Sequence, residues 1–222
     1  WYTDALAELD KPMVGVIISG RPLSLVNVED KLSAILYGWQ LGQETGTAVA
    51  DILFGDVNPG GKMPVTVPRT VGQIPAFYNH KPSARRGYAF ADASPLYVFG
   101  YGMSYTSFEM SEPTLSEPVI DPDGQTFVSV DLTNTGDRVG DEVVQLYIRD
   151  KVSSVTRPVK ELKGFERVTL EPGETKTVTL PITPEALRFY NLDMVRVVEP
   201  GDFDIMVGNS SQNVKTTTLT VR

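Results

Sequence analysis

Cysteine is absent from the chain, and histidine occurs once, as His80. The first absence excludes disulfides and thiolate metal sites. With one histidine, zinc would need several carboxylates, and no suitable cluster stands in the sequence, so neither a metal nor a cofactor is expected. Cysteine-based catalysis is excluded. A serine hydrolase lacks the G-x-S-x-G signal and has only His80, in a proline-flanked loop, to serve as base. Apolar runs of membrane length are missing too. The longest, "MVGVII" (13–18), has the length of a buried strand. Basic side chains are the minority, 20 against 28 acidic, for a net charge of −8. The average field of such a surface repels phosphates, so neither nucleic acid nor a membrane is expected as partner.

What is present suffices for a sizeable core: 41% of 222 residues are apolar, enough for one or two domains. The opening "WYTDALAELD" has no basic region followed by a long apolar one, so it is no signal peptide. Ala5, Leu6 and Leu9 fall at helical spacing, like the second half of an amphipathic helix, and the fold is expected to begin upstream.

Two grammars follow. Residues 1 to about 110 read as α/β. "KPMVGVIISGRP" is an uninterrupted apolar strand of the kind that parallel sheets cover on both faces. "LSAILYGWQ" (32–40) reads as a second strand, and "GQETGTAVADILFG" (42–55) as a helix that Gly55 ends. "GKMPVTVPR" (61–69) reads as a short edge strand, because its prolines would spoil a central one. So few elements make an incomplete three-layer α/β sandwich, with one apolar face left for upstream chain to cover. Residues 111–125 carry proline, acidic and Asp-Gly steps and read as a linker. From 126 to 222 short alternating strands recur between turns such as "NTGD", "EPGE" and "EPGD", as in an all-β sandwich. That half has neither Cys nor Trp, so the immunoglobulin disulfide and its packing tryptophan are excluded. A fibronectin type III-like sandwich fits.

Two stretches mimic ligand loops. "GDVNPGGK" (55–62) misses the phosphate-loop pattern by one residue and has Met63 in place of the Ser/Thr that would hold magnesium. Asn58-Pro59-Gly60 encodes a tight turn instead. "DPDG" (121–124) lacks the ligand series of a calcium loop. Among carboxylates Glu44 is the most suggestive. It precedes a helix, where the dipole favours a carboxylate over the protonated acid that a glycosidase donor needs. A capping or supporting role is therefore expected. The aromatics Trp39, Phe77, Tyr78, Tyr88, Phe90, Tyr97, Phe99, Tyr101, Tyr105 and Phe108 are dense. Most are expected to pack, and one or two to stack on a sugar; Trp39 is a candidate for the substrate rim or an interface.

Longer motifs carry a resemblance. "SGRPLSL" (19–25), "GQETGTAVADILFGDVNPGGKMPVTVPRTVGQIP" (42–75) and "PLYVFGYGMSYTSF" (95–108) resemble the second domain of glycoside hydrolase family 3. "EVVQLYIRD", "SSVTRPVKELKGFERVTLEPGETKTV" and "EPGDFDIMVG" are similar to the fibronectin type III-like domain that follows it in many members. The resemblance implies a (β/α)8 barrel upstream, carrying the aspartate nucleophile. It also implies an acid/base glutamate ahead of the "SGRPL" strand, so neither catalytic carboxylate is expected in this chain. The whole protein is then a retaining exo-acting β-glycosidase, a β-glucosidase first and a β-xylosidase second, acting on β-linked glucosides or short oligosaccharides. Its expected location is periplasmic or secreted, and a homodimer is compatible. The basic loop "NHKPSARRGY" supplies His80, Lys81, Arg85 and Arg86 as candidates for the substrate rim or an interface, against a plain loop tied to carboxylates such as Asp92. A reading from another class makes the chain a non-catalytic carbohydrate-binding or assembly module.

Overall fold

A computed structural model describes residues 2–83, 90 and 92–222. The described residues divide into two compact units. One is drawn from Trp1–Val57, Val65–Ala76 and Gly87–Val98, the other from Asn58–Pro64, Phe77–Arg86 and Phe99–Arg222.

The first unit begins with helix α1 (Tyr2–Ala7) and strand β1 (Val14–Ile18), followed by β2 (Ala34–Trp39) and α2 (Thr45–Phe54). The strands pair in parallel, Val14 against Ala34 through Ile17 against Tyr37, and then a bulge sets Ile18 opposite Trp39. Gly55 ends α2 in the left-handed conformation, φ 84°, where a Cβ would be strained. Between 61 and 69 the expected edge strand does not form. Only an isolated bridge joins Val67 to Tyr97, because Pro64 and Pro68 have no amide to sustain a ladder. Val14, Val16 and Ile18 project from one face of β1 at 48, 37 and 53% exposure, so three aliphatic side chains lie open on a parallel strand. Leu25, Val67 and Pro68 are buried in this unit.

The second unit has a closed core. It contains β3 (Phe108–Met110), β4 (Thr114–Leu115), β5 (Val119–Ile120), β6 (Thr126–Asn134), β7 (Gly140–Asp150), β8 (Glu161–Leu170), β9 (Thr175–Ile182), the short helix α3 (Pro184–Leu187), β10 (Phe189–Tyr190), β11 (Arg196–Val197), β12 (Gly201–Gly208) and β13 (Val214–Val221). Five strands order as β5-β13-β12-β7-β8. In the facing sheet β6 pairs with β9 on one side, while β3 and β4 share its other edge. Alternation on β6 sends Val128, Val130 and Leu132 inward, against Val144, Leu146, Ile148, Ile205 and Leu219 of the other sheet. Residues 111–125, read as a linker, contribute β4 and β5, and β5 extends the five-stranded sheet in parallel with β13.

Strand β7 departs from a strand with one wet face. Besides its core-facing residues, Gln145 is 3% and Tyr147 0% exposed. Their cover comes from the segments 77–80 and 99–100 of the same unit. The Tyr78 ring stacks on Phe99 at 4.3 Å and meets Tyr147 edge-on at 5.7 Å. Tyr147 donates its hydroxyl hydrogen to Gln145 Oε1 at 2.6 Å, and Gln145 Nε2 donates to the carbonyls of Gly100 (3.1 Å) and Asn209 (2.8 Å). Burial, reinforced by the nearby Tyr78, pushes the Tyr147 phenol up, so it stays a neutral donor. Gly100 has φ 78°, and a Cβ there would collide with the Gln145 side chain.

Candidate functional site

In an open parallel sheet, ligands approach the carboxyl ends of the strands. For β1 and β2 that end consists of Ser19–Arg21 and Trp39–Glu44. Trp39 closes β2 with φ 52°, an unusual conformation for a bulky side chain, and its ring lies 4.7 Å from that of Tyr37. The "SGRPLSL" loop is clasped to this end. Ser19 N donates to Trp39 O at 3.1 Å, and Leu23 N donates to the Tyr37 hydroxyl at 2.6 Å. Ser24 Oγ bonds the Arg69 carbonyl. Gly20 lies so close to Gln40 that a Cβ would sit 2.6 Å from its Nε2. A 3-10 turn, Gly42–Glu44, then leads into α2, with Thr45 Oγ1 donating to the Gly42 carbonyl at 2.6 Å. Glu44 occupies the position before the helix but makes no side-chain capping bond, so the expected cap is not formed. Trp39 and Glu44 thus both stand at the carboxyl end of β2. The loop residues Ser19, Arg21 and Gln40 belong to the same end of the parallel pair, and sequence reasoning passed over them. Their signal is the pairing of β1 with β2, which decides where the strand ends meet and which periodicity does not contain.

The basic stretch divides differently. His80 and Lys81 belong to the second unit, while Arg85 and Arg86 lie outside the described residues. His80 is half-buried. Its carbonyl accepts from Val159 N at 2.9 Å, and its Nδ1 lies 3.0 Å from the Lys81 carbonyl. Two residues earlier, the Tyr78 hydroxyl accepts from Leu162 N at 3.1 Å. Backbone and ring contacts therefore seat this segment against the strand β8 and the loop before it, with Lys81 exposed. Asp92, the carboxylate expected to tie the loop down, is engaged elsewhere. Its oxygens accept from Ser94 N and Oγ at 2.8 and 2.7 Å and pair with Arg69 at 3.1 Å. The Ser94 hydrogen bonds, with Arg69 behind them, hold its carboxyl below the usual range.

"GDVNPGGK" forms a structural clasp. Asn58 Nδ2 donates to Val139 O at 2.9 Å, and its Oδ1 accepts from Ser104 Oγ (2.9 Å) and Tyr105 N (2.7 Å). Lys62 is consumed by a buried ion pair with Glu142 at 2.5 Å and also donates to Gly102 O at 3.2 Å. A lysine so engaged has no charge to offer a phosphate.

Comparison with known proteins places this geometry. Residues 2–105 match the glycosyl hydrolase family 3 C-terminal domain, and residues 142–211 match a fibronectin type III-like domain. A periplasmic β-glucosidase of Salmonella typhimurium is 49% identical over 95% of this chain and 29% of its own length. A β-xylosidase of Formosa agariphila is 47% identical over 99% of the chain and 31% of its own length. A solved β-glucosidase from Erythrobacter marinus superposes with a TM-score of 0.96 at 47% identity, covering 99% of this chain and 29% of that one. The chain therefore spans about a third of the length of the curated relatives it matches. The parallel α/β unit with its clasped "SGRPLSL" loop and the two-sheet sandwich that follows fit both matched domains, and the chain belongs to glycoside hydrolase family 3, as a C-terminal part of such a protein.

Proposed function

We propose that the complete protein is a retaining exo-acting β-glycosidase, a β-glucosidase first, and that this chain completes the substrate pocket without supplying either catalytic carboxylate. The observation that carries the reading is near-equal similarity, over almost the whole chain, to one β-glucosidase and one β-xylosidase. Retention would use two carboxyl groups about 5 Å apart and a glycosyl-enzyme intermediate, both groups lying upstream of this chain, the nucleophile on the barrel and the acid/base ahead of the "SGRPL" strand. The open face of Val14, Val16 and Ile18 is where upstream chain would pack. In this reading Trp39 lines the rim as a stacking surface and Glu44 supports it. His80, Lys81, Arg85 and Arg86 contribute to the rim or to a homodimer contact. A domain boundary just ahead of Phe108 suits the pairing of β3 with β6 better than one at residue 110. A periplasmic or secreted location fits the first relative, and among the described residues no helix is long and apolar enough to cross a membrane.

The 49% and 47% identities hold β-xylosidase activity as the specific second reading. The test is kcat/KM of the complete protein on an aryl β-glucoside and an aryl β-xyloside, with the anomer released followed by NMR. Preference for the glucoside with retention supports the proposal, preference for the xyloside selects the second reading, and an inverted product rules out the mechanism. Replacing Arg85 and Arg86 by alanine tests the basic loop: unchanged kinetics together with an unchanged oligomeric state would remove it from both rim and interface.

A further inference from the structure

We propose that a cleft at one end of the β-sandwich is a binding site for one neutral sugar ring. The cleft has a volume of about 180 Å³ and opens where β3 meets the β12–β13 hairpin. Drug-sized ligands occupy roughly 300–1,000 Å³, so this one is confined to something the size of a monosaccharide. Its walls are mixed. Phe108, Met110 and Val214 supply apolar surface, and Glu142, Asn209 and Asn213 supply polar groups.

The polar wall is built into the fold. Glu142 is 5% exposed, and its Oε1 is taken by Lys62 at 2.5 Å and by the Val143 amide at 2.7 Å. Among the described residues its Oε2 has only Asn209 Nδ2, at 3.5 Å, the outer limit of a hydrogen bond. A carboxylate oxygen with unused lone pairs thus lines the cleft, beside two amides fixed against one another: Asn213 Nδ2 donates to Asn209 Oδ1 at 2.9 Å. The buried charge is already matched, Glu142 by Lys62. At the mouth Lys215 is matched by Glu112 at 3.1 Å and by the Met110 carbonyl at 2.8 Å. Glu109, the remaining carboxylate of the lining, is exposed, so an ionic ligand would find no unmatched buried charge among the described residues. A sugar suits both walls. One hydroxyl donates to Glu142 Oε2, others exchange bonds with the asparagines, and the C–H face of the ring lies on Phe108 and Met110. This inference does not depend on the proposed hydrolytic activity, because the cleft lies wholly within the second unit and its test reads binding alone.

The experiment titrates the 222-residue chain with glucose and with xylose, observed by saturation transfer from protein to ligand. Each variant's cooperative thermal unfolding serves as the check on its fold. A small neutral ligand in so shallow a site is expected to bind saturably with a Kd of about millimolar order. Val214→Trp, which plugs the mouth and leaves Lys62 and Glu142 both in place, should weaken binding at least about tenfold. Asn213→Leu should weaken it as well. Binding that persists unchanged in both folded variants would place the sugar elsewhere and overturn the assignment. So would the lack of saturation up to about 100 mM in a cooperatively folding parent chain.

Discussion

At the scale of single residues, the buried pair Lys62–Glu142 separates stability from ligand chemistry. Removing one partner of such a pair strands the other charge in a poor solvent, at a cost of about 3–5 kcal/mol, whereas replacing both by apolar groups of similar shape is nearly neutral. Lys62→Met is therefore expected to lower the melting temperature by roughly 10 °C or more, and the double variant Lys62→Met/Glu142→Leu to recover most of that loss, both read by thermal unfolding. Asp150 acts in the opposite sense. Burial pushes its carboxyl up, against the lowering effects of the Val152 amide, Arg157 and Ser153, with Glu199 adding to the rise. A carboxyl whose folded pKa exceeds its unfolded value costs stability when ionised and ceases to cost it as pH falls through the folded pKa. Asp150→Asn is expected to raise the melting temperature near pH 7, with the gain shrinking as pH falls through the raised carboxyl's range. A gain independent of pH would show that the burial argument is wrong. At this scale the sequence was a partial guide. "GDVNPGGK" could be rejected as a phosphate loop from its spacing, but the partners of Asn58 and Lys62 stand some 40 to 80 positions away and no local pattern marks them.

Among the elements, local rules located most strands and failed where a partner outside the element decides. β1, β2 and α2 were legible from an apolar run, a β-branched and aromatic run and a glycine stop. β6, β7, β9, β12 and β13 were legible from alternation between turns. The Pro64–Pro68 segment looked like an edge strand and is a loop, since two missing amides outweigh its valines. The linker 111–125 hides β4 and β5, two residues each, whose existence depends on the edges of β6 and β13. β7 alternates as though one face were wet, yet Tyr78, Phe99 and Gly100 cover that face. β1 supports a prediction of its own. Its Val14, Val16 and Ile18 face is open in this chain, and an aliphatic face on a parallel strand is expected to be covered in the complete protein. Val16→Lys with Ile18→Lys should leave the unfolding of the 222-residue chain nearly unchanged. In the complete protein it should destabilise by several kcal/mol, since lysines would be buried unpaired. Equal effects in both would mean that the face stays exposed.

The whole molecule shows an asymmetry that its sequence already suggested. One unit has a closed two-sheet core, while the other has two parallel strands, few buried apolar side chains and an open face. The two matched families suit that contrast: residues 2–105 match the glycosyl hydrolase family 3 C-terminal domain and residues 142–211 a fibronectin type III-like domain. The candidate site was less legible than the fold. Trp39 and Glu44 could be chosen from residue type, but that both stand at the carboxyl end of β2, where "SGRPLSL" is clasped to Tyr37 and Trp39, emerges only once β1 and β2 are paired. In the proposed function this chain shapes a glycosidase pocket while the reacting carboxylates lie upstream. Its most direct test is hydrolysis of an aryl β-glucoside by the purified 222-residue chain, with intact mass verified, alone and then with the upstream polypeptide. No turnover above background is expected from the chain alone, and turnover when both parts are present. Enzyme-like turnover by the pure chain, lost on Glu44→Gln, would contradict the proposal.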